Sequence, residues 1–294
     1  MTRRRTLRTL VAAKAGFLVP GAYDGVSAKL VQQAGFPAVY MTGYGTSASR
    51  LGLPDLGFAG LAEMADHARS LVAVLDVPLI ADADTGYGNA LNVRRTVQVY
   101  EAAGVAALHI EDQITPKRCG HLDGKEVISL PEMIKKLEAA LASRADPNFC
   151  IIARTDARGV HGLDDAISRA RAFAQLDVDA VFVEAPQSES ELEQIPRALP
   201  NIPLLVNVFK GGKTPMLPAE RLEKMGYRIA IYPSETQRAG IYAMRQALSL
   251  LKRKGTTEAM DEALTTFKER DTIVGLDDWQ ELERKFLSID SGKN

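Results

Sequence analysis

The sequence predicts a (β/α)8 barrel, and three observations lead to this fold class. Eight short apolar runs recur along the chain, helix-period segments lie between them, and a polar or charged residue follows nearly every run. The length agrees, because a barrel of this class needs ~250 residues and the chain has 294. A doubly wound open sheet is the competing architecture, but it does not require eight units, and no GxGxxG turn follows the first run.

The eight apolar runs are short, as expected of strands buried on both faces. They span residues 17–19, 38–41, 78–81, 107–110, 150–153, 180–183, 203–206 and 228–231. Amphipathic helical segments lie between them, at residues 25–34, 61–75, 92–103, 131–143, 164–176, 189–199 and 218–225. One helix start is marked in detail, because Ser129 is a suitable N-cap that places Pro131 at the second and Glu132 at the third helical position.

Composition favours a globular protein of a reducing cytoplasm. The formal net charge is −1, so we expect no nucleic-acid partner and no anionic membrane surface as a partner. Two cysteines cannot form a disulfide framework, and Cys150 lies in an apolar run typical of a buried thiol. The N-terminal arginine cluster is followed by a segment that Lys14 interrupts. We therefore expect no signal peptide, and no apolar run approaches the ~18 residues of a membrane span.

Polar side chains stand where the predicted strands end. In a barrel the carboxyl ends of all strands meet at one mouth, where active sites are built. The sequence therefore predicts that residues far apart in the chain converge there. These residues are Tyr23, Asp24, Thr42, Gly43, Asp82, Asp84, Glu111, Asp112, Arg154, Asp156, Glu184, Asn207, Pro233 and Ser234.

Three of these acids suggest a metal site. Asp82 and Asp84 are two residues apart at one strand end, and Glu111 arrives from the next strand. Crowded carboxylates repel unless a cation lies among them, and an all-oxygen set completed by water suits Mg²⁺, with Mn²⁺ as the alternative. Zinc is disfavoured, because the chain has only four histidines. The other interpretation is that these acids cap helices or pair with Arg94, Arg95 or Lys117.

Cys119 is a candidate catalytic thiol. It lies in the polar, glycine-loosened segment 117–121, Lys-Arg-Cys-Gly-His, which is typical of a mobile loop rather than a core. Neighbouring cations would lower the pKa of the thiol, which could then act as a general acid or as a nucleophile. The alternative is that the basic loop is merely solvated.

Several motifs in a fixed order resemble the isocitrate lyase and phosphoenolpyruvate mutase superfamily. The similarity runs from about Val19 to Gly255, and it is nearest to the short members: 2-methylisocitrate lyase, 2,3-dimethylmalate lyase and carboxyvinyl-carboxyphosphonate phosphorylmutase. The motifs are residues 51–55, 82–88, 109–113, 117–121 and 153–157.

The resemblance implies a role for most of the residues at the predicted mouth. Metal would be held by Asp82, Asp84 and Glu111, largely through water, with Asp55 nearby. The carboxylate of a small-molecule substrate would lie against the backbone of Thr42, Gly43 and Tyr44, and an enolate would be stabilised as the bond breaks. The remaining residues that match the family's active site are Tyr40, Cys119, Gly120, His121, Arg154, Glu184 and Asn207.

Each of these remaining residues carries its own implied role. Cys119, on a loop that acts as a lid, would protonate the departing carbanion, and Arg154 would clamp the substrate. Glu184, and Tyr40 as an alternative, would handle the hydroxyl proton. His121 and Asn207, with Gly120 beside them, would position the distal carboxylate.

Two positions depart from the family pattern. Lys210 stands where methylisocitrate and dimethylmalate lyases generally have a glutamate. In the segment Tyr232-Pro233-Ser234-Glu235, Ser234 and Glu235 stand where the family usually has a leucine followed by a serine or threonine. The two charges could form a replacement ion pair across neighbouring loops. Alternatively, Lys210 recognises an additional anionic group of the substrate.

The C-terminal region is expected to serve assembly. We divide the chain into a catalytic barrel, residues 1–255, and a helical extension, residues 256–294, with helices at 258–270 and 277–287. An apolar stripe on the second helix calls for a partner surface. The resemblance implies helix exchange within a dimer, with Gly275 as hinge, and a homotetramer of such dimers. The stripe consists of Trp279, Leu282, Phe286 and Leu287.

The leading functional hypothesis is a Mg²⁺-dependent carbon-carbon lyase. It would cleave a 2-hydroxy di- or tricarboxylate, of the 2-methylisocitrate or 2,3-dimethylmalate type, to an α-keto acid and a smaller acid. The alternatives are a phosphonomutase of the carboxyvinyl-carboxyphosphonate phosphorylmutase type and an oxaloacetate-cleaving hydrolase or decarboxylase. A barrel that has lost catalysis and serves as a binding scaffold is a further hypothesis, which the presence of acids, thiol and Arg154 disfavours.

Overall fold

Eight parallel strands close into a barrel in chain order, which confirms the predicted fold class. The computed structural model describes residues 1–287. Each strand pairs with its neighbours in the sequence, and β1 pairs with β8 to close the sheet. The strands are β1 Phe17–Ala22, β2 Val39–Met41, β3 Leu79–Asp82, β4 Ala107–Glu111, β5 Cys150–Thr155, β6 Ala180–Val183, β7 Leu204–Asn207 and β8 Ile229–Tyr232.

Helices lie between the strands where the apolar periodicity predicts them. The start of the helix after β4 is as predicted, because the Ser129 side chain accepts from the Glu132 amide and Pro131 occupies the first turn. The helices of the barrel region are α1 Arg3–Ala12, α2 Gly25–Gln33, α3 Gly43–Thr46, α4 Leu61–Ala73, α5 Ala90–Ala102, α6 Leu130–Leu141, α7 Leu163–Ala174, α8 Glu189–Ala198 and α9 Ala219–Met225.

The N-terminal helix α1 was not predicted. Its buried residues, Leu7 and Val11, belong to the apolar cluster inside the barrel, which also contains Ile80 and Phe182. A second cluster fills the layer between the strands and the surrounding helices. α1 thus closes the barrel interior, and inward-facing side chains fill that interior as in other barrels of this class.

The chain divides into two compact units after Gln237, within the first turn of α10, Glu235–Lys254. The boundary expected at Gly255 therefore falls inside the second unit. The predicted helix over 258–270 is wrong as a single element. A 3-10 helix, Glu258–Ala263, is followed by a break and by α11, Phe267–Val274, because Thr266 caps a new helix with Glu269.

The last predicted helix is confirmed as α12, Leu276–Leu287, and Gly275 precedes it with φ 77° in the left-handed region. The apolar stripe on this helix is exposed within the described chain, with Trp279 at 68% and Phe286 at 70% relative exposure. Among residues 1–287, no helix combines the length and apolar character needed to cross a membrane.

Candidate active site

Two carboxylates and a histidine meet at the mouth of the barrel. Asp82 ends β3 and Glu111 ends β4, and His109 lies two residues before Glu111, on the same face of the strand. One side-chain ligand atom from each of the three lies within 4.8 Å of the others. The structure therefore brings together Asp82 and Glu111, two of the four acids expected at the metal.

The buried state of this acid pair suits a bound cation. Glu111 is 1% exposed, and within the described chain its Oε1 atom has no hydrogen-bond partner. Burial raises the pKa of Glu111 well above its ordinary value, against the opposing effect of Arg154. A divalent ion would satisfy the orphaned oxygen and favour the ionised form, so the donor set fits the expected Mg²⁺ or Mn²⁺.

His109 was missed by the sequence analysis, although its two-residue spacing from Glu111 was the available signal. Burial lowers its pKa to about 4, so the imidazole is neutral. Its Nε2 atom lies 2.8 Å from the Tyr40 hydroxyl and 3.7 Å from Asp82 Oδ1. Tyr40 engages this nitrogen, whereas Nδ1 has no hydrogen-bond partner within the described chain.

The other two expected metal acids are held by Lys117 instead. Its Nζ atom lies 2.5 Å from Asp55 Oδ1 and 2.8 Å from Asp84 Oδ1, and its side chain is 6% exposed. Pairing with Lys117 was the alternative left open by the sequence, and it describes Asp84 and Asp55 in this structure. The Lys117 ammonium thus supplies positive charge beside Asp55 and Asp84, where only a metal ion was expected to do so.

Asp84 also has an unusual backbone. Its φ of 46° lies in the left-handed region, which is uncommon outside glycine. Its amide donates to Asp82 Oδ1 at 2.9 Å, which turns the chain back over the strand end. Burial, with Asp82 and Asp55 nearby, raises the pKa of Asp84 to about 7 although Lys117 opposes the shift. A metal role for Asp84 and Asp55 remains a prediction.

Arg154 links three carboxylates at the mouth. Its guanidinium lies 3.1 Å from Glu111, 3.4 Å from Glu184 and 2.9 Å from Asp156, and it stacks over the Phe182 ring with 5.0 Å to the centroid. These partners fix the plane of a buried guanidinium. Arg154 thus lies between Glu111 and Glu184, and its role as a clamp for a substrate carboxylate remains a prediction.

Glu184, His121 and Asn207 form one hydrogen-bonded group. The Lys213 amide donates to His121 Nδ1 at 2.9 Å, so a neutral imidazole carries its proton on Nε2, which lies 2.8 Å from Glu184 Oε1. Asn207 Nδ2 donates to the same Glu184 oxygen at 3.3 Å, and within the described chain Asn207 Oδ1 has no hydrogen-bond partner. His121 and Asn207 lie side by side, with 3.3 Å between His121 Nε2 and Asn207 Nδ2, and their role in positioning a distal carboxylate remains a prediction.

Glu184 is ionised in this setting. Burial opposes ionisation, but Arg154 and His121 together lower the pKa of Glu184 below its ordinary value. The carboxylate is fully buried, so it combines negative charge with exclusion from water. It is therefore suited to accept a proton from a bound hydroxyl group.

The expected cationic activation of Cys119 is wrong. Burial raises the pKa of the thiol to about 11, and the charges of Asp55 and Glu184 add to the shift, whereas Lys117 opposes it. Lys117 lies two residues before Cys119 in the sequence, but its charge is directed at Asp55 and Asp84. The thiol is therefore protonated at neutral pH, which favours a general acid over a nucleophile.

The loop carrying Cys119 packs directly on the side chains of Arg154 and Glu184. The Cys119 amide donates to Asp55 O at 3.1 Å. A Cβ added at Gly120 would collide with the Arg154 and Glu184 side chains, so only glycine allows this approach. The loop thus lies over the barrel mouth, and its mobility remains a prediction.

The segment expected to bind the substrate carboxylate follows β2. Thr42 caps α3 by accepting from the Gly45 amide at 3.2 Å. A Cβ added at Gly43 would collide with Asp82 Oδ2, so the Gly43 backbone lies against Asp82. Tyr44 is 47% exposed.

The two departures from the family pattern follow the last two strands of the barrel. Lys210 is exposed in the loop after β7, and Glu235 lies near the Ser234 amide, which donates to Glu235 Oε2 at 3.2 Å. The pairing of Lys210 with Glu235 remains a prediction.

The chain is similar to known proteins over most of its length. Residues 7–252 match the family model "Phosphoenolpyruvate phosphomutase". The chain is 43% identical over 288 residues to 2,3-dimethylmalate lyase of Eubacterium barkeri, covering 98% of this chain and 99% of the relative. It is 41% identical over 277 residues to 2-methylisocitrate lyase of Bacillus subtilis, covering 94% and 91%.

A solved structure shows the same fold over nearly the whole chain. Oxaloacetate acetylhydrolase in complex with the inhibitor 3,3-difluorooxalacetate superposes with a TM-score of 0.93 at 37% identity, covering 98% of each chain. The fold and a large share of the sequence are thus similar to those of enzymes of one superfamily. The chain belongs to the phosphoenolpyruvate phosphomutase family and is an enzyme of the isocitrate lyase and phosphoenolpyruvate mutase superfamily.

Proposed function

We propose that the protein is a carbon-carbon lyase that cleaves a 2-hydroxy di- or tricarboxylate to an α-keto acid and a smaller carboxylic acid. Substrates of the 2,3-dimethylmalate or 2-methylisocitrate type are favoured by the two sequence relatives. The observation that carries the proposal is that a proton acceptor and a proton donor lie together at the barrel mouth. An ionised Glu184 lies beneath a loop whose Cys119 thiol is held protonated.

The chain's residues account for the proton movements of this cleavage. Glu184 accepts the proton of the substrate hydroxyl, the carbonyl of the α-keto acid forms, and the carbon-carbon bond breaks. The bonding electrons pass to the carbon next to the second product's carboxylate, and Cys119 donates its proton to that carbon. Arg154, His121 and Asn207 hold the substrate carboxylates, and Tyr40 is the alternative partner of the hydroxyl. Lys210 remains the candidate for recognising a further anionic group.

A divalent cation is part of the proposal. Asp82 and Glu111 would hold Mg²⁺, or Mn²⁺, with Asp84 and Asp55 contributing through bound water. The ion would stabilise negative charge that develops on substrate oxygen. The orphaned Glu111 Oε1 supports this assignment, since a buried carboxylate oxygen without a partner is costly unless a cation meets it.

Two other reactions remain alternatives, because one observation favours each of them. The fold similarity to oxaloacetate acetylhydrolase favours cleavage of oxaloacetate. The matching family model favours phosphoryl transfer on a phosphonate or enol phosphate substrate. The Cys119 thiol and Glu184 favour the lyase, because a protonated donor and an ionised acceptor serve carbon-carbon cleavage directly.

A substrate panel separates these reactions. Purified protein with Mg²⁺ is assayed with 2,3-dimethylmalate, 2-methylisocitrate, oxaloacetate and phosphonopyruvate. Release of an α-keto acid is measured for the first two, and loss of the substrate and the identity of its products for the other two. We expect turnover on one of the first two that is lost with a chelator and restored by Mg²⁺. Turnover confined to oxaloacetate or to phosphonopyruvate would overturn the lyase assignment in favour of the corresponding reaction.

We further propose a homotetramer built from helix-exchanging dimers, in a reducing cytoplasm. The exposed stripe on α12 supports assembly, because large side chains such as Trp279, Phe286 and Leu287 are 68–70% exposed in the single chain. Both cysteines are free thiols, and the proposed chemistry needs Cys119 reduced.

A further inference from the structure

The loop between β4 and α6 is fastened to the barrel at several points. Gln113 and Val127 form an antiparallel bridge at its base, so residues 114–126 leave and return at the same place; we call this segment the mouth loop. Lys117 binds Asp55 and Asp84, and His121 binds Glu184, and both contacts involve groups already placed in the site. Lys125 makes a further contact that the proposed reaction does not use.

Lys125 is a buried cation inside its own loop. Its side chain is 2% exposed, its Nζ atom lies 2.9 Å from Asp156 Oδ1, and it also donates to the Gly120 carbonyl oxygen. A Cβ at Gly159 would lie 3.2 Å from both Cε and Nζ, so the lysine fills a narrow slot. A buried ammonium is costly unless it is paired, and here both partners are supplied by the closed loop and the barrel.

Asp156 carries the contact on to the catalytic arginine. Arg154 binds it with two parallel hydrogen bonds, Nε to Oδ2 at 2.9 Å and Nη2 to Oδ1 at 3.2 Å. Asp156 Oδ1 therefore serves Lys125 and Arg154 together. The carboxylate is itself fixed, because its backbone amide donates to Asp112 Oδ1 at 2.8 Å.

We propose that Lys125 is a positioning residue that fastens the mouth loop over Arg154 and so places the Cys119 thiol. The Gly120 carbonyl that Lys125 binds is one residue from Cys119, and Gly120 packs on the arginine that Lys125 reaches through Asp156. The Lys125 ammonium thereby holds the mouth loop and Arg154 in fixed positions relative to each other. The expected effect on turnover rests on the proposed function, whereas the fastening of the loop by Lys125 rests on the contacts alone.

Thiol alkylation tests this directly, since each cysteine reports a different event. Cys119 lies on the mouth loop, whereas Cys150 begins β5 and is 1% exposed, so its reaction requires opening of the barrel. Wild type and Lys125→Met are treated with iodoacetamide at one fixed pH, and each site is followed by mass spectrometry. We expect the Cys119 rate to rise ~10-fold or more, as loss of a charged hydrogen bond implies, with the Cys150 rate unchanged.

Two control variants sharpen the test. Lys213→Met removes an exposed ion pair to Asp123 but keeps the backbone donor to His121, so the Cys119 rate should stay within twofold of wild type. Lys125→Arg should restore part of the protection. An unchanged Cys119 rate in Lys125→Met would overturn the proposal, as would a parallel rise at Cys150, which would assign Lys125 to general stability.

The kinetic consequence is measured separately. On the substrate identified by the panel, Lys125→Met should lower kcat about tenfold because the thiol is misplaced, and Lys125→Arg should recover part of it. An unchanged kcat with faster alkylation would overturn the positioning of Cys119 while retaining the fastening of the loop. If no panel substrate is turned over, the proposed function fails, and the alkylation result still decides closure.

Discussion

Glu184 Oε1 accepts a hydrogen bond from His121 Nε2 at 2.8 Å, and the Lys213 amide, which donates to Nδ1, fixes that tautomer from the other side of the ring. This relationship joins the loop after β4 to the end of β6 and the loop after β7. Together with Arg154, the His121 contact lowers the pKa of the buried Glu184 carboxylate and so keeps it ionised.

Replacing Cys119 by serine should remove most of the turnover and leave the fold intact. A hydroxyl is a much weaker acid than a thiol whose pKa is about 11, and loss of a general acid typically costs ~10²–10⁴ in rate. Steady-state kinetics and circular dichroism measure the two effects. Cys150→Ser is the matched control, because that thiol lies at the start of β5; full activity of Cys119→Ser would remove the thiol from the mechanism.

Replacing Glu111 by glutamine should weaken Mg²⁺ binding at least ~10-fold, because the charge of one proposed ligand is lost while its shape is kept. Titration calorimetry measures the affinity, and the rise in melting temperature with Mg²⁺ should shrink in the variant. Glu138→Gln, on the exposed face of α6, is the control and should bind as wild type does. Equal affinities in all three proteins would contradict the metal assignment.

Exchanging Glu184 for glutamine should abolish turnover without releasing the loop. The amide keeps a carbonyl oxygen that can accept from His121 but cannot accept the substrate proton, so a loss of ~10² or more in kcat is expected. Stopped assays with the panel substrate measure kcat, and unchanged alkylation of Cys119 shows that the loop remains in place. Substantial activity in this variant would transfer the base role to Tyr40.

Acid should destabilise the fold in part through His67. Burial, with Arg50 adding to it, lowers the pKa of His67 from 6.5 to about 4, so the unfolded chain binds the proton more readily. Stability is therefore fully present above pH 6.5 and falls as the pH drops toward 4. Between pH 8 and pH 5 this one group accounts for about 2 kcal/mol.

Urea unfolding of His67→Gln at both pH values tests this expectation. The difference in unfolding free energy between pH 8 and pH 5 should be smaller than in wild type, whereas the exposed His161→Gln should behave as wild type. His109, whose pKa is also lowered to about 4, leaves a residual dependence in every variant. An identical pH dependence in His67→Gln and wild type would show that this histidine is not buried neutral.

The exposed stripe of α12 should control assembly. The double variant Trp279→Ser and Phe286→Ser removes two large apolar side chains and should shift the protein to smaller species in light scattering after size exclusion. Leu91→Ser, which alters a 77% exposed side chain on the barrel unit, is the control. Unchanged mass in the double variant would place the assembly interface elsewhere.

The sequence by itself determined the barrel and the composition of its mouth. Apolar runs and helical spacing report local burial, and the rule that strand ends meet at one mouth needs no coordinates. Asp82, Glu111, Arg154, Glu184 and Asn207 were therefore found from their positions alone. Helix α1 was not predicted, because it has few apolar residues and their burial depends on the barrel interior that they close.

Only the tertiary structure decided the charge states and partners of the site. Lys117 neighbours Cys119 in the chain, yet its ammonium pairs with Asp55, 62 residues away, and the thiol is left protonated. The spacing of His109 from Glu111 does not reveal its partner, and nothing in the sequence around Lys125 marks it, because these partners are Tyr40 on β2 and Asp156 directly after β5. A pKa and an ion pair depend on burial and on distances through space, and sequence neighbours determine neither.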